Sequence, residues 1–306
     1  MSEPRANAPK AEVERGWFVA DDGRELACYE AGDPEGPPLV LCGGLGGGFA
    51  VWRRLVERFA PRFRLLSWDY RGLYRSVGSL DGDCSLEQHV RDLRALLRQA
   101  EVEAPVLLGW SMGVQVGLEL HRETPEPVRG FVAIHGTAAR PVSGAFDSPL
   151  SEQLAPPILS ALRRVGNGLG GVGPRLARAP GVARGFVRFG RALGVMAPSL
   201  DLDLFREIAA EWTRLDFTAY ADLFAALDRH DASDLLPRVK TPTLIFAGDA
   251  DRFTPAHRAA HMARTLPDAE LERLPGATHF GLLEFPEQIG ARVERFLHER
   301  LGLSAC

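Results

Sequence analysis

The pentapeptide Gly109-Trp-Ser-Met-Gly113 places a serine between two glycines in the pattern G-x-S-x-G. A short apolar run, Val106–Leu108, precedes it and suits a buried strand, whereas apolar and small residues at helical spacing follow it. A chain that changes from strand to helix within five residues must bend sharply, and the bend exposes the side chain at its apex. The helix N-terminus behind Ser111 would supply unpaired N–H groups and the positive end of the helix dipole. This stretch therefore predicts a nucleophilic hydroxyl beside a site that stabilises an oxyanion.

A serine nucleophile needs a base and a carboxylate that orients the base. The strand-like run Thr243–Ala247 is followed by Asp249 and Asp251, and a strand pattern near Leu271 is followed by His279. The chain order serine, aspartate, histidine is the one expected when the serine follows an earlier strand of the same sheet. At this point Asp249 and Asp251 remain alternatives for the carboxylate.

The segments that must position these side chains alternate between strand and helix patterns. Strand-like runs on either side of Asp21-Asp-Gly23 predict a hairpin, and strands and helices then alternate up to about residue 135. No convincing strand occurs from 141 to 235, where apolar residues keep helical spacing, and the alternation resumes at Thr243. The pattern predicts a single α/β domain, with helices on both faces of a mostly parallel sheet, split by a helical insertion.

This organisation divides the chain into three parts. We expect a flexible N-terminus at 1–15, a core formed by 16–140 and 236–306, and a helical cap at 141–235. The cap should lie over the carboxyl edge of the sheet, where ligands bind in such folds.

Four motifs in the expected order resemble the α/β-hydrolase fold. They are Asp69-Tyr-Arg-Gly72, the serine pentapeptide, G-x-x-D-x-x-x-P at 248–255, and G-x-x-H at 276–279 with Glu284 and Pro286 beyond it. The chain looks most like the small, cap-bearing branch of esterases and lipase-like enzymes, in which a helical cap follows the sixth strand. The resemblance covers about residues 25–140 and 236–300.

The resemblance implies a role for each matching position. It makes Ser111 the nucleophile, His279 the base and Asp251 the carboxylate, in preference to Asp249. Backbone N–H groups of Leu45 and Met112 become the oxyanion-hole donors. Gly44 and Trp110 are expected to contact the substrate, and no cofactor or metal is implied.

The chain departs from the family pattern at two places. Gly43-Gly44 stands where the family usually has His-Gly, which affects the shape of the loop that carries Leu45. Leu73-Tyr74 stands where the family tends to have His-Gly. Projection of Tyr74 toward the site is one interpretation, and we favour a role in anchoring this loop.

The function that follows is hydrolysis of a carboxylic ester with an apolar acyl group, through an acyl-enzyme on Ser111. A serine at this position argues against the related dehalogenases and epoxide hydrolases, which use a carboxylate there. An acyltransferase or a thioesterase could use the same residues, and a ligand-binding protein without turnover is a further alternative.

Composition and charge limit the classes of binding partner that we expect. The net charge of −4 gives no reason to expect nucleic acid, and no apolar run approaches membrane-spanning length. The polar start of the chain does not resemble a secretory signal, so we expect a cytoplasmic protein that acts on a small acyl ester. The four cysteines form no C-x-x-C pair and the histidines are scattered, so no metal site is predicted.

The expected cap has an uneven distribution of charge. Residues 153–200 contain seven arginines and no acidic residue, whereas residues 201–234 contain nine acidic residues and three arginines. Contact between the basic half and an anionic membrane surface is one interpretation. We favour mutual neutralisation of the two halves, because exposed charged helices need no ligand. The oligomeric state does not follow from the sequence.

Overall fold

A computed structural model describes residues 12–45, 47–76, 83–123, 128–141, 180–212 and 215–303, together with the single positions 153, 157, 160 and 164. Its centre is an eight-stranded sheet with the order β1-β2-β4-β3-β5-β6-β7-β8. The pairs β1–β2 and β2–β4 are antiparallel, and all remaining pairs are parallel. The predicted α/β fold with a mostly parallel sheet is confirmed. The strands are β1 Val13–Val19, β2 Glu25–Gly32, β3 Pro38–Cys42, β4 Arg64–Trp68, β5 Val106–Trp110, β6 Gly130–Ile134, β7 Thr243–Gly248 and β8 Ala269–Leu274.

The helices cover both faces of the sheet, because alternate residues of each strand point to opposite sides. Leu39 and Leu41 of β3 pack with helices α1 and α9, whereas Val40 and Cys42 pack with helices α2, α3 and α7. These two apolar clusters are the core of the protein. In the continuously described segments, the helices are α1 Arg53–Phe59, α2 Leu86–Gln99, α3 Met112–Glu123, α4 Pro180–Ala192, α5 Leu202–Trp212, α6 Phe217–Arg229, α7 Ala256–Thr265, α8 Gly281–Glu284 and α9 Pro286–Leu301. Short 3-10 helices occur at Phe49–Trp52, Tyr74–Ser76 and Ser233–Arg238.

The predicted hairpin is present, and helix α2 begins at a capping serine. The hairpin around Asp21-Asp-Gly23 joins β1 to β2, and Gly23 has a φ of 84°, which glycine adopts without strain. Ser85 caps α2, since its hydroxyl accepts a hydrogen bond from the backbone N–H of Gln88.

The start of the sheet differs from the expected boundary at residue 16. β1 begins at Val13, and residues 13–15 pair with residues 29–31 of β2. This edge of β1 contains Glu14 and Arg15, so it lacks the apolar alternation by which a strand is recognised. Residues 1–11 of the expected flexible segment lie outside the described residues.

The insertion between β6 and β7 leaves and rejoins the sheet at adjacent points. Ala139 and Asp231 form an isolated β-bridge, and the N–H of Ala232 donates to the carbonyl of Ala138. Within the described residues the insertion is helical, in α4, α5 and α6, while most of the segment from 142 to 179 lies outside them. Helix α5 packs on the core through Leu204, Phe205 and Ile208. Across the described part of the chain, no helix combines the length and apolarity needed to span a membrane.

Candidate active site

Ser111 occupies the turn between β5 and α3 in a strained conformation. Its φ is 55°, a left-handed value that costs free energy in any residue except glycine. Two backbone hydrogen bonds hold the turn: the N–H of Ser111 donates to the carbonyl of Ile134, and the N–H of Val114 donates to the carbonyl of Ser111. The turn therefore projects the hydroxyl above the sheet, as the G-x-S-x-G pattern predicted.

Close backbone approach explains two glycines at this turn. A Cβ at Gly113 would lie 1.9 Å from the carbonyl oxygen of Cys42, so α3 contacts β3 directly here. A Cβ at Gly44 would lie 2.8 Å from the Cβ of Ser111 and 3.1 Å from the carbonyl oxygen of Trp110. The backbone at Gly44 thus lies against Ser111. The sequence had predicted that Gly44 contacts the substrate, and that contact stays a prediction.

Ser111, His279 and Asp251 form one chain of hydrogen bonds. The Oγ of Ser111 lies 2.9 Å from Nε2 of His279, and Nδ1 of His279 lies 3.0 Å from Oδ2 of Asp251. Since a carboxylate only accepts hydrogen bonds, Nδ1 carries the proton and Nε2 is free to accept from the serine. The three residues lie in loops after β5, β7 and β8, so strand order in the sheet brings them together.

Asp251 is buried, and both of its carboxylate oxygens accept hydrogen bonds. Its Oδ1 accepts from the N–H groups of Phe253 and Thr254, both at 2.9 Å, and its Oδ2 accepts from the Thr254 hydroxyl at 2.6 Å. Burial by itself raises the pKa of this carboxyl group, but the neighbouring His279 and His135 more than offset burial and hold the pKa well below its ordinary value. The carboxylate therefore stays ionised and orients the imidazole.

Asp249, the alternative carboxylate, lies on the surface. It is exposed and forms an ion pair with Arg273 at 2.7 Å. The structure brings Asp251, and not Asp249, to His279.

The loop that carries His279 is held from two sides. The indole N–H of Trp110 donates to the carbonyl of His279 at 3.0 Å. Glu284 accepts from the N–H and hydroxyl of Thr278 and from the N–H of Ala197 in the insertion. Glu284 belonged to a motif in the sequence, but its hydrogen bonds depend on tertiary contacts that no local pattern reports.

Trp110 differs from its expected role as a substrate contact. Its side chain is 1% exposed and belongs to the core below the glycine-rich loop, so it presents almost no surface to a ligand. Trp110 is the last residue of β5, and every residue of this strand is buried, so the indole ring packs inside the protein. The structure supports a positioning role through the bond to His279.

The expected oxyanion donors lie on two elements beside Ser111. Met112 is the first residue of α3, where backbone N–H groups have no acceptor within the helix. Leu45 lies in the glycine-rich loop, which is anchored by two tyrosine hydroxyls: Tyr70 donates to the carbonyl of Gly43, and Tyr74 to that of Leu45. Gly46 lies outside the described residues.

One cluster of described residues has the composition of a metal site. Glu87, Glu119 and His230 approach one another, but His230 already contacts Glu119 through Nε2 and Gln115 through Nδ1. Glu119 also pairs with Arg122 at 2.6 Å. These contacts form an ion-pair network and give no indication of a metal ligand set.

Comparison with known proteins agrees with the fold described above. A family model described as alpha/beta hydrolase fold matches residues 37–286. The chain belongs to this family. Within the family, it is 31% identical over 276 residues to the polyketide synthase ThaQ of Burkholderia thailandensis, covering 87% of this chain but only 12% of ThaQ. It is 27% identical to a putative carbamate hydrolase, RutD, of Stutzerimonas stutzeri, covering 90% of this chain and 96% of that protein.

Two solved structures are similar over nearly their whole length. An esterase from Exiguobacterium antarcticum has a TM-score of 0.75 and 19% identity, with 92% of this chain and 99% of the esterase covered. A hydrolase from Pseudomonas aeruginosa has a TM-score of 0.73 and 25% identity, with coverages of 92% and 98%. The esterase is similar in fold alone, whereas family membership and the similarity to the carbamate hydrolase relative support hydrolase activity.

Proposed function

We propose that this protein is a serine hydrolase that cleaves a carboxylic ester with an apolar acyl group through an acyl-enzyme on Ser111. The observation that carries the proposal is the continuous hydrogen-bond chain from the serine hydroxyl through His279 to Asp251. Such a chain serves to deprotonate a serine while it attacks a carbonyl carbon.

Each residue then has one task in the reaction. His279 takes the hydroxyl proton as Ser111 attacks the carbonyl carbon, and the N–H groups of Met112 and Leu45 stabilise the oxyanion that forms. His279 next gives the proton to the departing alcohol, which leaves an acyl ester on Ser111. A water molecule attacks this ester while His279 accepts one of its protons; His279 then returns that proton to the oxygen of Ser111 as the acyl bond breaks, which releases the acid product and restores the serine hydroxyl.

Aromatic side chains around His279 support an apolar acyl group. The rings of Phe253 and Phe280 lie 5.4 and 6.2 Å from the imidazole ring, and both side chains are partly exposed. Phe205 of α5 contacts Phe280 edge to face, with ring centroids 6.2 Å apart. Helix α5, which is part of the insertion, therefore extends the apolar wall beside His279, and we propose that the insertion is a cap.

The similarity to putative carbamate hydrolases favours a second candidate substrate. A carbamate has a carbonyl carbon that the same serine could attack, and the relative matches over 96% of its length. A thioesterase or acyltransferase would also use these residues. The proposed cytoplasmic location remains a prediction.

The test begins with purified protein and a fluorophosphonate probe, which labels only an activated serine. We expect labelling that is abolished in Ser111→Ala. Turnover is then compared on p-nitrophenyl esters of graded chain length, an acyl thioester and an aryl carbamate. Highest kcat/KM on a medium or long ester would support the proposal, whereas preference for the carbamate or thioester would select that alternative. Absence of both labelling and turnover would favour a binding protein.

A further inference from the structure

A second histidine lies beside the acid of the site. His135 directly follows β6 and has a φ of 46°, a left-handed conformation for a non-glycine residue. Its backbone N–H donates to the carbonyl of Phe246 in β7, and its side chain is fully buried. Strained residues of this kind persist only where surrounding structure imposes them, and they concentrate at functional sites.

The imidazole of His135 faces the oxygen that orients His279. Its Nδ1 lies 3.4 Å from Oδ2 of Asp251, the same atom that lies 3.0 Å from Nδ1 of His279. Neither ring nitrogen of His135 has a hydrogen-bond partner of good geometry among the described residues. A buried polar atom without a partner is costly, so a small rotation of the ring toward Asp251 is favoured.

The surroundings leave space for this ring and for little else. A Cβ at Gly281 would lie 2.1 Å from Nε2 of His135, and a Cβ at Gly248 would lie 2.9 Å from its Cε1. Both positions are glycines in elements that carry the site, namely α8 and the end of β7. A cradle of two glycines around one imidazole is a built feature and not a loosely packed pocket.

We propose that His135 is a positioning residue for the reaction above, in which its Nδ1–H group donates to Oδ2 of Asp251 as a second imidazole on that oxygen. The inference rests on the proposed function. A carboxylate oxygen that accepts an additional hydrogen bond attracts the proton of its other partner less strongly. His135 thus fixes the direction of Oδ2 and limits how tightly Asp251 holds the charged form of His279, so that His279 returns its proton to the leaving group readily.

Among the described residues, few charged groups face His135. Asp251 faces it from the loop after β7, and His279, from the loop after β8, shares the same carboxylate oxygen. Gly281 of α8 has no side chain to titrate, and Glu284 of the same helix is engaged by Thr278 and Ala197. A change at His135 should therefore reach the base through Asp251.

The kinetic test compares His135→Phe, which keeps a ring but has no donor, with His135→Asn. The Asn side chain places an N–H donor near the position of Nδ1 and tolerates a left-handed φ. We expect His135→Phe to lower kcat about tenfold with KM within about twofold, and to move the acidic limb of kcat/KM to higher pH by about half a unit or more. His135→Asn should restore most of kcat and return the acidic limb of the kcat/KM pH profile to its position in the parent protein.

A matched control is His89, another fully buried histidine whose ring nitrogens have no hydrogen-bond partner among the described residues. His89→Phe should change neither kcat nor the pH limb. If His135→Phe behaves like the parent, or if the folded Asn variant is as impaired as the Phe variant, the imidazole only fills space and the proposal is wrong.

A measurement without turnover covers the case in which His135→Phe does not fold. In the parent protein labelled with ¹⁵N-histidine, NMR should show His135 protonated at Nδ1 at neutral pH, with its signals assigned by their loss in His135→Asn. An Nδ1 without a proton would overturn the proposal. Fluorophosphonate labelling of the parent separately reports whether Ser111 is activated, so failure of the proposed function is distinguished from failure of the role of His135.

Discussion

The indole N–H of Trp110 donates a hydrogen bond to the backbone carbonyl of His279, with 3.0 Å between nitrogen and oxygen. Trp110 immediately precedes the serine in the chain, so the residue beside the nucleophile also holds the loop that carries the base. The two rings lie 5.8 Å apart, and the indole is buried. This contact couples the position of the base to the strand that carries the serine.

We expect Trp110→Phe to lower kcat about tenfold. Phenylalanine keeps an apolar ring but has no N–H donor, so the His279 carbonyl loses its partner and the imidazole is less well placed, and small misplacements at a site are costly in rate. Steady-state kinetics on the preferred ester measure the effect. Trp68→Phe is a suitable control, because it removes a buried indole from the opposite face of the sheet. Equal losses in the two variants would show a general packing defect.

Asp251→Asn should lower kcat on the order of a thousandfold or more, because an amide at this position favours the wrong tautomer of His279. Asp249→Asn should leave kcat near that of the parent protein, since this substitution removes only an exposed ion pair with Arg273. Both variants are to be measured on the same ester. A larger loss at Asp249 would reject Asp251 as the orienting carboxylate.

Gly44→Ala should lower kcat at least tenfold, because the added methyl group would lie 2.8 Å from the Cβ of Ser111 and must displace the loop or the serine. Gly43→Ala is the matched control, since the nearest atom to its added methyl group would be 3.7 Å away. The rate of fluorophosphonate labelling measures the effect on Ser111 directly. Equal labelling of both variants would mean that the loop moves aside without disturbing the site.

Acid should destabilise the protein through His89. Burial, together with the nearby Arg71, lowers the pKa of this imidazole to about 3, whereas a histidine in the unfolded chain titrates near 6.5. The unfolded state therefore binds a proton first, and the free energy of unfolding falls as pH decreases from about 6.5 toward 3, by up to about 1.4 kcal/mol per pH unit.

Replacing His89 with phenylalanine should remove this contribution. The ring contact with Tyr70, at 4.9 Å between centroids, can be kept by the new ring. Denaturant unfolding at pH 7, 6, 5 and 4 should show a shallower loss of stability than in the parent. The exposed His261 provides a control, because His261→Phe should keep the parent slope. If the free energy of unfolding of His89→Phe depends on pH as steeply as that of the parent protein, the buried neutral state of His89 is contradicted.

Removal of residues 145–230, with a short Gly–Ser linker in their place, should leave the α/β core folded. The chain leaves and returns at neighbouring points, as the hydrogen bond between Ala138 and Ala232 shows. The trimmed protein should be less soluble, because apolar surface beneath α5 becomes exposed. It should keep activity on acetyl esters and lose its preference among longer acyl chains. Chain-length profiles of the two proteins provide the test, and an unchanged profile or complete unfolding would refute the proposed cap.

The local features of the fold were predictable because they depend on a few neighbouring residues. The hairpin at Asp21-Asp-Gly23 follows from turn chemistry, and the strand, turn and helix around Ser111 follow from two glycines and a change of apolar period. The polar edge of β1 at Glu14 and Arg15 was missed because it has no such period. Its pairing is decided by the backbone of β2.

The choice of partners around the site depended on tertiary structure. Asp249 and Asp251 stand two residues apart in one loop, and only the positions of His279 and Arg273 separate the buried acid from the surface one. Trp110 and His279 are 169 positions apart in the chain, and His135 meets Asp251 only because β6 and β7 are neighbours in the sheet. Local sequence determines the conformation of each strand end, whereas the order of the strands determines which ends meet.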